Sequence, residues 1–334
     1  MKYLAMQSHD IRSNLATEQY LMNSQQIKPP FMLFYIEKDC IIVGRNQNTL
    51  EEINQQYCEE HGVTVTRRLS GGGAMYQDMG NLCFSFVVPA DQIRFGDFKD
   101  LVKPVVDALH EMGCTGAKVT GRNDIVVDGK KFSGNAMYAT NGRMFAHGTI
   151  MFDSDINEVV NALKVKKDKI ESKGIKSIRS RVTNIKPFLP EEKQKMTTEE
   201  FRQEILLKIF GVESVEEVKT YELTDEDWKK INRISEEYYR NWDWNYGKSP
   251  DFNFSRQKRF SIGSIEVHLN VSEGMIKEAK IFGDFFGLGD VSDVEKKLVG
   301  QKYDKASLSK IVSQIDVKKY FGAIEPEELL TLLY

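Results

Sequence analysis

The chain has 334 residues, with 46 Lys and Arg against 49 Asp and Glu, 41% hydrophobic residues and four Cys. That length and apolar content suit a globular protein with room for two cores. A net charge of −3 leaves no basic excess to neutralise a run of phosphates, which argues against a nucleic-acid binder.

No apolar run reaches the roughly 18–20 residues that a bilayer-spanning helix needs. The opening MKYLAMQSHDIRSNLATEQYL lacks the apolar centre and small-residue cleavage site of a signal peptide, so a cytoplasmic setting without membrane attachment is expected. Cys40, Cys58, Cys83 and Cys114 form no CxxC pair, and the five His show no metal-ligand spacing, so no protein-held metal is expected. Cys40, Cys83 and Cys114 read as buried thiols.

In chain order, SNLATEQYLMNS suits a helix over 13–24, with Ser13 or Asn14 as N-cap and Leu15, Tyr20 and Leu21 on its buried side. Two apolar runs around Glu37-Lys38-Asp39 predict a hairpin over 31–44. From 61 to 88 a β-branched run, a Ser-Gly-Gly-Gly break, a short strand, a turn and an apolar strand read as sheet. Leu101, Val105, Leu109 and Met112 share one face of a helix over 97–113, which Pro104 should kink or start. Asp128-Gly129 and Asn141-Gly142 then divide a strand meander into hairpins.

Further helices are expected at 155–164, at 198–210 with a Thr197/Glu200 capping box, and at about 224–240. The segment between 165 and 187 is polar. Gly247, Pro250 and the aromatics around them place a domain boundary near 246–253, followed by three short strands over 258–286 and two or three helices over 290–334. The expectation is an α+β protein with domains at 1–246 and 253–334.

Three segments could carry chemistry. RRLSGGGAMY (67–76) offers backbone N–H groups that no Cβ shields, beside Arg67 and Arg68, a combination suited to a phosphate or carboxylate. A floppy turn is the plainer alternative; a Walker A loop or a dinucleotide-binding Rossmann turn does not fit. GRNDIVVDGKKFSGNAM (121–137) puts Lys130 and Lys131 at a hairpin tip, solvated or poised over an anion. KGIKSIRSRVTN (173–184) is basic and Ser-rich, either a surface loop or a cover for phosphates.

Together with SNLATEQYL, VGRNQN, HGTIMF and WDWNYGKSP, these strings resemble the lipoate-protein ligases in the same order over nearly the whole chain. The resemblance implies a mixed-sheet catalytic domain like that of class II aminoacyl-tRNA synthetases and biotin ligases, with a small C-terminal α+β domain. It also implies two reactions: lipoate attacks the α-phosphate of ATP, brought in with Mg²⁺, and a lysine of a lipoyl domain then takes the lipoyl group from the adenylate. Carriers would be the lipoyl domains of 2-oxoacid dehydrogenase E2 subunits or a glycine-cleavage H protein, and a monomer is the default expectation.

Carried over residue by residue, the resemblance makes Lys131 catalytic. It gives Arg68, Gly73, Ala74, Met75, Tyr76, Asp124, Arg179 and Asn184, with Lys131, to ATP or the adenylate. Arg68, Ser70, Gly72 and His147, again with Lys131, go to lipoate, and Thr149 falls on a motif near the pocket. Gln77 stands where such ligases commonly carry His, and it cannot titrate. The RSRVTN segment would close over the adenylate, the basic stretch from Lys164 to Lys186 could face an acidic lipoyl domain, and the C-terminal domain would reposition between the two steps. Two alternatives stay open: an ATP-independent lipoyl or octanoyl amidotransferase working through a Cys thioester, for which Cys83 is the sole nearby thiol, and a non-catalytic sensor of lipoate or nucleotide. A biotin ligase's GRGRxxR-like segment is not found.

Overall fold

A computed structural model describes residues 1–121, 123–163, 181–246, 253–272 and 274–334. The chain forms two compact units. One comprises Met1–Ile42, Leu50–Thr66 and Met75–Asn245; the other comprises Val43–Thr49, Arg67–Ala74 and Tyr246–Tyr334. Two short early segments therefore belong with the C-terminal portion, a discontinuity that a linear division of the chain cannot express.

The strands in chain order are β1 (Lys2–Ala5), β2 (Phe31–Ile36), β3 (Cys40–Val43), β4 (Thr64–Arg67), β5 (Met75–Gln77), β6 (Asn81–Pro89), β7 (Lys118–Thr120), β8 (Asp124–Val127), β9 (Lys130–Thr140), β10 (Arg143–Met151), β11 (Phe254–Phe260), β12 (Gly263–Ser272) and β13 (Met275–Gly283). The larger sheet has seven strands in the order β1-β2-β6-β10-β9-β8-β7. Its β1–β2 pair is parallel, and the pairings of β2 with β6, β6 with β10, β10 with β9, β9 with β8, and β8 with β7 are antiparallel. The meander read from the sequence is present, and both of its turns hold two residues at positive φ: Asp128 at 48° and Gly129 at 74°, Asn141 at 52° and Gly142 at 72°. That is the type I′ geometry whose twist matches the flanking strands.

The expected hairpin over 31–44 does not form. β2 lies in the large sheet, whereas β3 joins β4 and β5 in a small sheet ordered β4-β3-β5. The residues between β2 and β3 bond elsewhere: Lys38 N–H donates to His9 O at 3.0 Å, and Asp39 O accepts from Thr64 N–H at 3.1 Å.

The first helix spans Ile11–Asn23, and Asp10 caps it, accepting from Arg12 N–H at 3.1 Å; neither Ser13 nor Asn14 is the N-cap. Leu15, Tyr20 and Leu21 are buried as expected, but so are Asn14, Thr17, Glu18 and Gln19. The helix packs on β6 and β10 on one side and against the helical stretch Asp225–Tyr239 on another, so its polar residues are enclosed as well. That stretch is α-helical over Asp225–Ile234 and continues as a π-helix over Ser235–Tyr239. Pro104 sits inside the helix Phe98–Glu111, and the helix Thr198–Phe210 carries the Thr197/Glu200 capping box.

In the second unit β11, β12 and β13 form an antiparallel sheet whose middle strand alternates buried and half-buried residues. Val267, Leu269, Ile281 and Phe285 build its core with Leu298, Leu308, Phe321 and Leu329 from the helices that follow. Those helices number four among the described residues, Ser292–Leu298, Lys305–Ser313, Val317–Phe321 and Pro326–Leu333, rather than two or three. Among the described residues no helix is long and apolar enough to cross a membrane.

Candidate active site

Lys131 stands on β9, one residue beyond the Asp128-Gly129 hairpin, and its ammonium lies 2.7 Å from Asp124 Oδ1 on β8. Both side chains are more than a third exposed, so the pair is open to solvent and to a ligand. The Lys131 backbone is held on both sides. On β8 it faces Val126, and its carbonyl accepts from Thr183 N–H at 2.9 Å, which ties the RVTN segment beside it.

The pairing of β8 with β9 is irregular here. Asp124 faces Gly134 and Ile125 faces Ser133, but Val126 faces Lys131, leaving Phe132 as an additional residue in β9. This β-bulge changes the alternation of side chains, so Lys131 emerges on the same face as Asp124. Next to it, Asn135 Nδ2 donates to Asn123 O at 3.0 Å and Asn123 Nδ2 donates to Asn135 O, a reciprocal pair that locks the strand beyond the bulge. Neither Asn was singled out by the sequence, although both lie within the strings that carried the resemblance.

The glycine segment is tied by hydrogen bonds to Arg68. Arg68 Nε donates to Ser70 Oγ at 3.0 Å, while its Nη2 donates to Gly71 O at 2.8 Å and Gly73 O at 2.9 Å, so one guanidinium gathers the loop around itself. Gly72 has φ +96°, and a Cβ there would meet Arg68 Nη2 at 2.9 Å. Arg67 has a different task. Its guanidinium donates to the carbonyls of Gly44, Arg45 and Gln47 and to Thr49 Oγ1, all between 2.6 and 2.9 Å, which ties down the loop carrying VGRNQN. Burial lowers the Arg67 pKa to about 10, still far enough above neutrality to keep it charged.

Met75, Tyr76, Asp124, Lys131, His147 and Asn184 belong to the first unit; Arg68, Ser70, Gly72, Gly73 and Ala74 belong to the second. Met75 and Gly134 are neighbours, and Tyr76 is buried with its phenol pushed to a higher pKa by desolvation. His147 Nδ1 lies 3.0 Å from Glu18 Oε2, and Glu18 Oε1 also accepts from Tyr35 OH at 3.0 Å. Glu18 is a partner that the sequence reading missed; its signal was a carboxylate among the apolar residues of SNLATEQYL. Asn184 directs its amide at Ser154, accepting from the backbone N–H at 3.0 Å and donating to the carbonyl at 2.9 Å, so it anchors the segment to the residues that follow β10. Arg179 and most of the basic stretch 164–186 lie outside the described residues.

Gln77 is interior. Its Oε1 accepts from Cys83 Sγ at 2.6 Å and its Nε2 donates to Met75 Sδ at 3.3 Å, joining β5 to β6. All four Cys are buried, including Cys58, and burial raises the Cys83 thiol well above its ordinary pKa. A thiol held protonated in this way is a poor nucleophile.

Residues 10–210 match the family model described as lipoyl protein ligase A/B catalytic domain, and residues 249–333 match that of the bacterial lipoate protein ligase C-terminus. The lipoate-protein ligase LplJ of Bacillus subtilis is 54% identical over 326 residues, 98% of this chain and 97% of that protein. Among solved structures, P. falciparum LipL1 in complex with lipoate superposes with a TM-score of 0.76 at 24% identity, covering 99% of this chain and 97% of that one. A lipoate-protein ligase A bound with ATP gives 0.61 at 23% identity over 74% of this chain and 98% of its own. The fold is thus the mixed-sheet, class II synthetase-like one with a small C-terminal domain, and the chain belongs to the lipoate-protein ligase family.

Proposed function

We propose that this chain activates free lipoate with ATP and transfers the lipoyl group to a lysine of lipoyl carrier domains. Residues 1–246 would supply the catalytic domain and 253–334 the accessory one. Carriers are E2 lipoyl domains or a glycine-cleavage H protein, and the enzyme acts as a monomer in the cytoplasm. The observation that carries the reading is the Lys131 ammonium, aimed by the bulge onto an open face beside Asp124.

In the first step a lipoate oxygen attacks the α-phosphorus and pyrophosphate leaves, so two anions must approach each other. The Lys131 charge offsets that repulsion and the charge growing on the phosphoryl oxygens. Arg68 and the Gly73–Tyr76 segment would hold the nucleotide, with Mg²⁺ arriving as part of that substrate, while the family resemblance gives Ser70, Gly72 and His147 to lipoate. In the second step the carrier amine attacks the acyl carbon, the carbonyl oxygen becomes an oxyanion stabilised by Lys131, AMP departs and the amine loses its proton. Asn184 contributes by anchoring the segment that borders Lys131.

The raised pKa of Cys83 disfavours the amidotransferase alternative, because a thioester route needs a thiolate. The test is mass spectrometry of a purified lipoyl domain incubated with this protein and lipoate, with and without Mg-ATP. A lipoyl mass increment that requires ATP is expected. An increment taken from an acylated carrier without ATP would replace the ligase with an amidotransferase.

A further inference from the structure

We propose that Gly134, together with the β-bulge at Phe132, is the positioning device for the Lys131 ammonium, an inference that rests on the ligase reading above. A regular continuation of the pairing that starts at Asp124 and Gly134 would set Lys131 opposite Val127 and turn its side chain to the other face of the sheet. The additional residue Phe132, itself fully buried, removes that mismatch and brings Lys131 round to the face of Asp124 and Gly134.

Aiming alone does not fix where the amine rests; the space above Gly134 does. A Cβ built on Gly134 would lie 3.0 Å from Lys131 Nζ and 3.2 Å from its Cε, so the side chain lies across the glycine and the amine reaches Asp124 Oδ1 at 2.7 Å. Gly134 lacks the positive φ that would itself demand glycine. What it provides is the absence of a side chain beneath the ammonium; Met75 Cε also lies near, 4.0 Å from the same Cβ position. Any larger residue displaces the amine by a few tenths of an ångström or more and loosens its approach to Asp124.

The neighbour that must yield is the end of a flexible side chain, so Gly134→Ala should leave the fold intact. In a strand interior it should even raise stability slightly, because glycine is the costlier residue to order. Catalysis should fall, since a misplacement approaching 1 Å costs about 10²-fold. We expect Gly134→Ala to lower the rate of lipoyl-adenylate formation by roughly 3–30-fold and Gly134→Val by about 10²-fold or more. Melting temperature should not fall in the alanine variant, and the KM values should move less than kcat.

The closing experiment is a double-mutant cycle with Lys131→Ala, read by calorimetric binding of a non-hydrolysable lipoyl-sulfamoyl adenosine. If Gly134 acts through Lys131, Gly134→Ala weakens binding in the wild type and has no further effect once Lys131 is gone. Equal losses in both backgrounds would mean that the glycine contacts the ligand or the fold directly, and would overturn the proposal, as would wild-type kcat in Gly134→Ala. A wild type that makes no adenylate from lipoate and Mg-ATP would remove the ligase reading and this inference with it. A working wild type beside an equally active Gly134→Ala would remove this inference alone.

Discussion

Glu18 and His147 meet between the first helix and the large sheet, with both carboxylate oxygens of Glu18 within 3.2 Å of His147 Nδ1. Glu18 is 1% exposed and also accepts from Tyr35 OH, so one buried carboxylate serves groups from β2 and β10. Replacing it with alanine deprives two buried groups of this acceptor at once, each a loss of about 1–3 kcal/mol. Glu18→Ala is therefore expected to lower unfolding free energy by about 2–5 kcal/mol, and Glu18→Gln by less than half of that, because the amide oxygen can still accept from Tyr35. Urea titration at neutral pH measures both. A Glu18→Ala protein as stable as the wild type would show that the interaction is not carrying stability.

Glu37 gives the fold a pH dependence of defined sign. Burial raises its carboxyl pKa to about 8, although Asn14 Nδ2 donates to Oε1 at 2.9 Å. Above the pKa of an unfolded Glu the denatured chain has released its proton while the folded one still holds it. This component of stability is complete below the unfolded pKa and is lost as pH rises through 8. Glu37→Gln keeps an acceptor for Asn14 and cannot ionise. It should gain about 1–3 kcal/mol on the wild type between pH 5.5 and 8.5. Parallel stability curves for the two proteins over that range would refute the assignment.

The same corner of the molecule explains a limit of the sequence. The two apolar runs at 31–36 and 40–43 are fully buried, so neither shows the alternation that would reveal which face or partner each one uses. Adjacency suggested a hairpin. The bonds of Lys38 to His9 and of Asp39 to Thr64 decide otherwise, and both partners are too distant in sequence for a local reading to find. Where turn chemistry is explicit the reading succeeds, as at Asp128-Gly129, Asn141-Gly142 and the Thr197/Glu200 box. The candidate site was legible as motifs, but its geometry was not: nothing in KKFSGNA announces that Phe132 is a bulge, and Arg67 and Arg68, adjacent in the text, face entirely different sets of acceptors.

That division of labour between the arginines is testable. Arg67 satisfies three carbonyls and a hydroxyl with a planar fork, which a lysine ammonium cannot match in geometry. Arg67→Lys should cost about 2–4 kcal/mol through the acceptors left unpaired. It should also speed proteolytic cleavage within Val43–Thr49. Unchanged stability and protection in Arg67→Lys would show that the loop is held by something else.

Lys131→Ala and Cys83→Ser together separate the ligase from the amidotransferase. Removing one donor to a developing oxyanion costs about 10²–10³-fold. Lys131→Ala should therefore lose at least that much in ATP-dependent lipoylation while keeping its fold, because the side chain is substantially exposed and its ion pair is worth little to stability. Cys83→Ser removes a thiol whose proton is already directed at Gln77 Oε1, and a serine hydroxyl can make the same bond. Its cost is the burial of a more polar oxygen, about 1–2 kcal/mol, with lipoylation retained. Loss of activity in a folded Cys83→Ser, beside a Lys131→Ala that still turns over, would reverse the assignment and point to acyl transfer through the thiol.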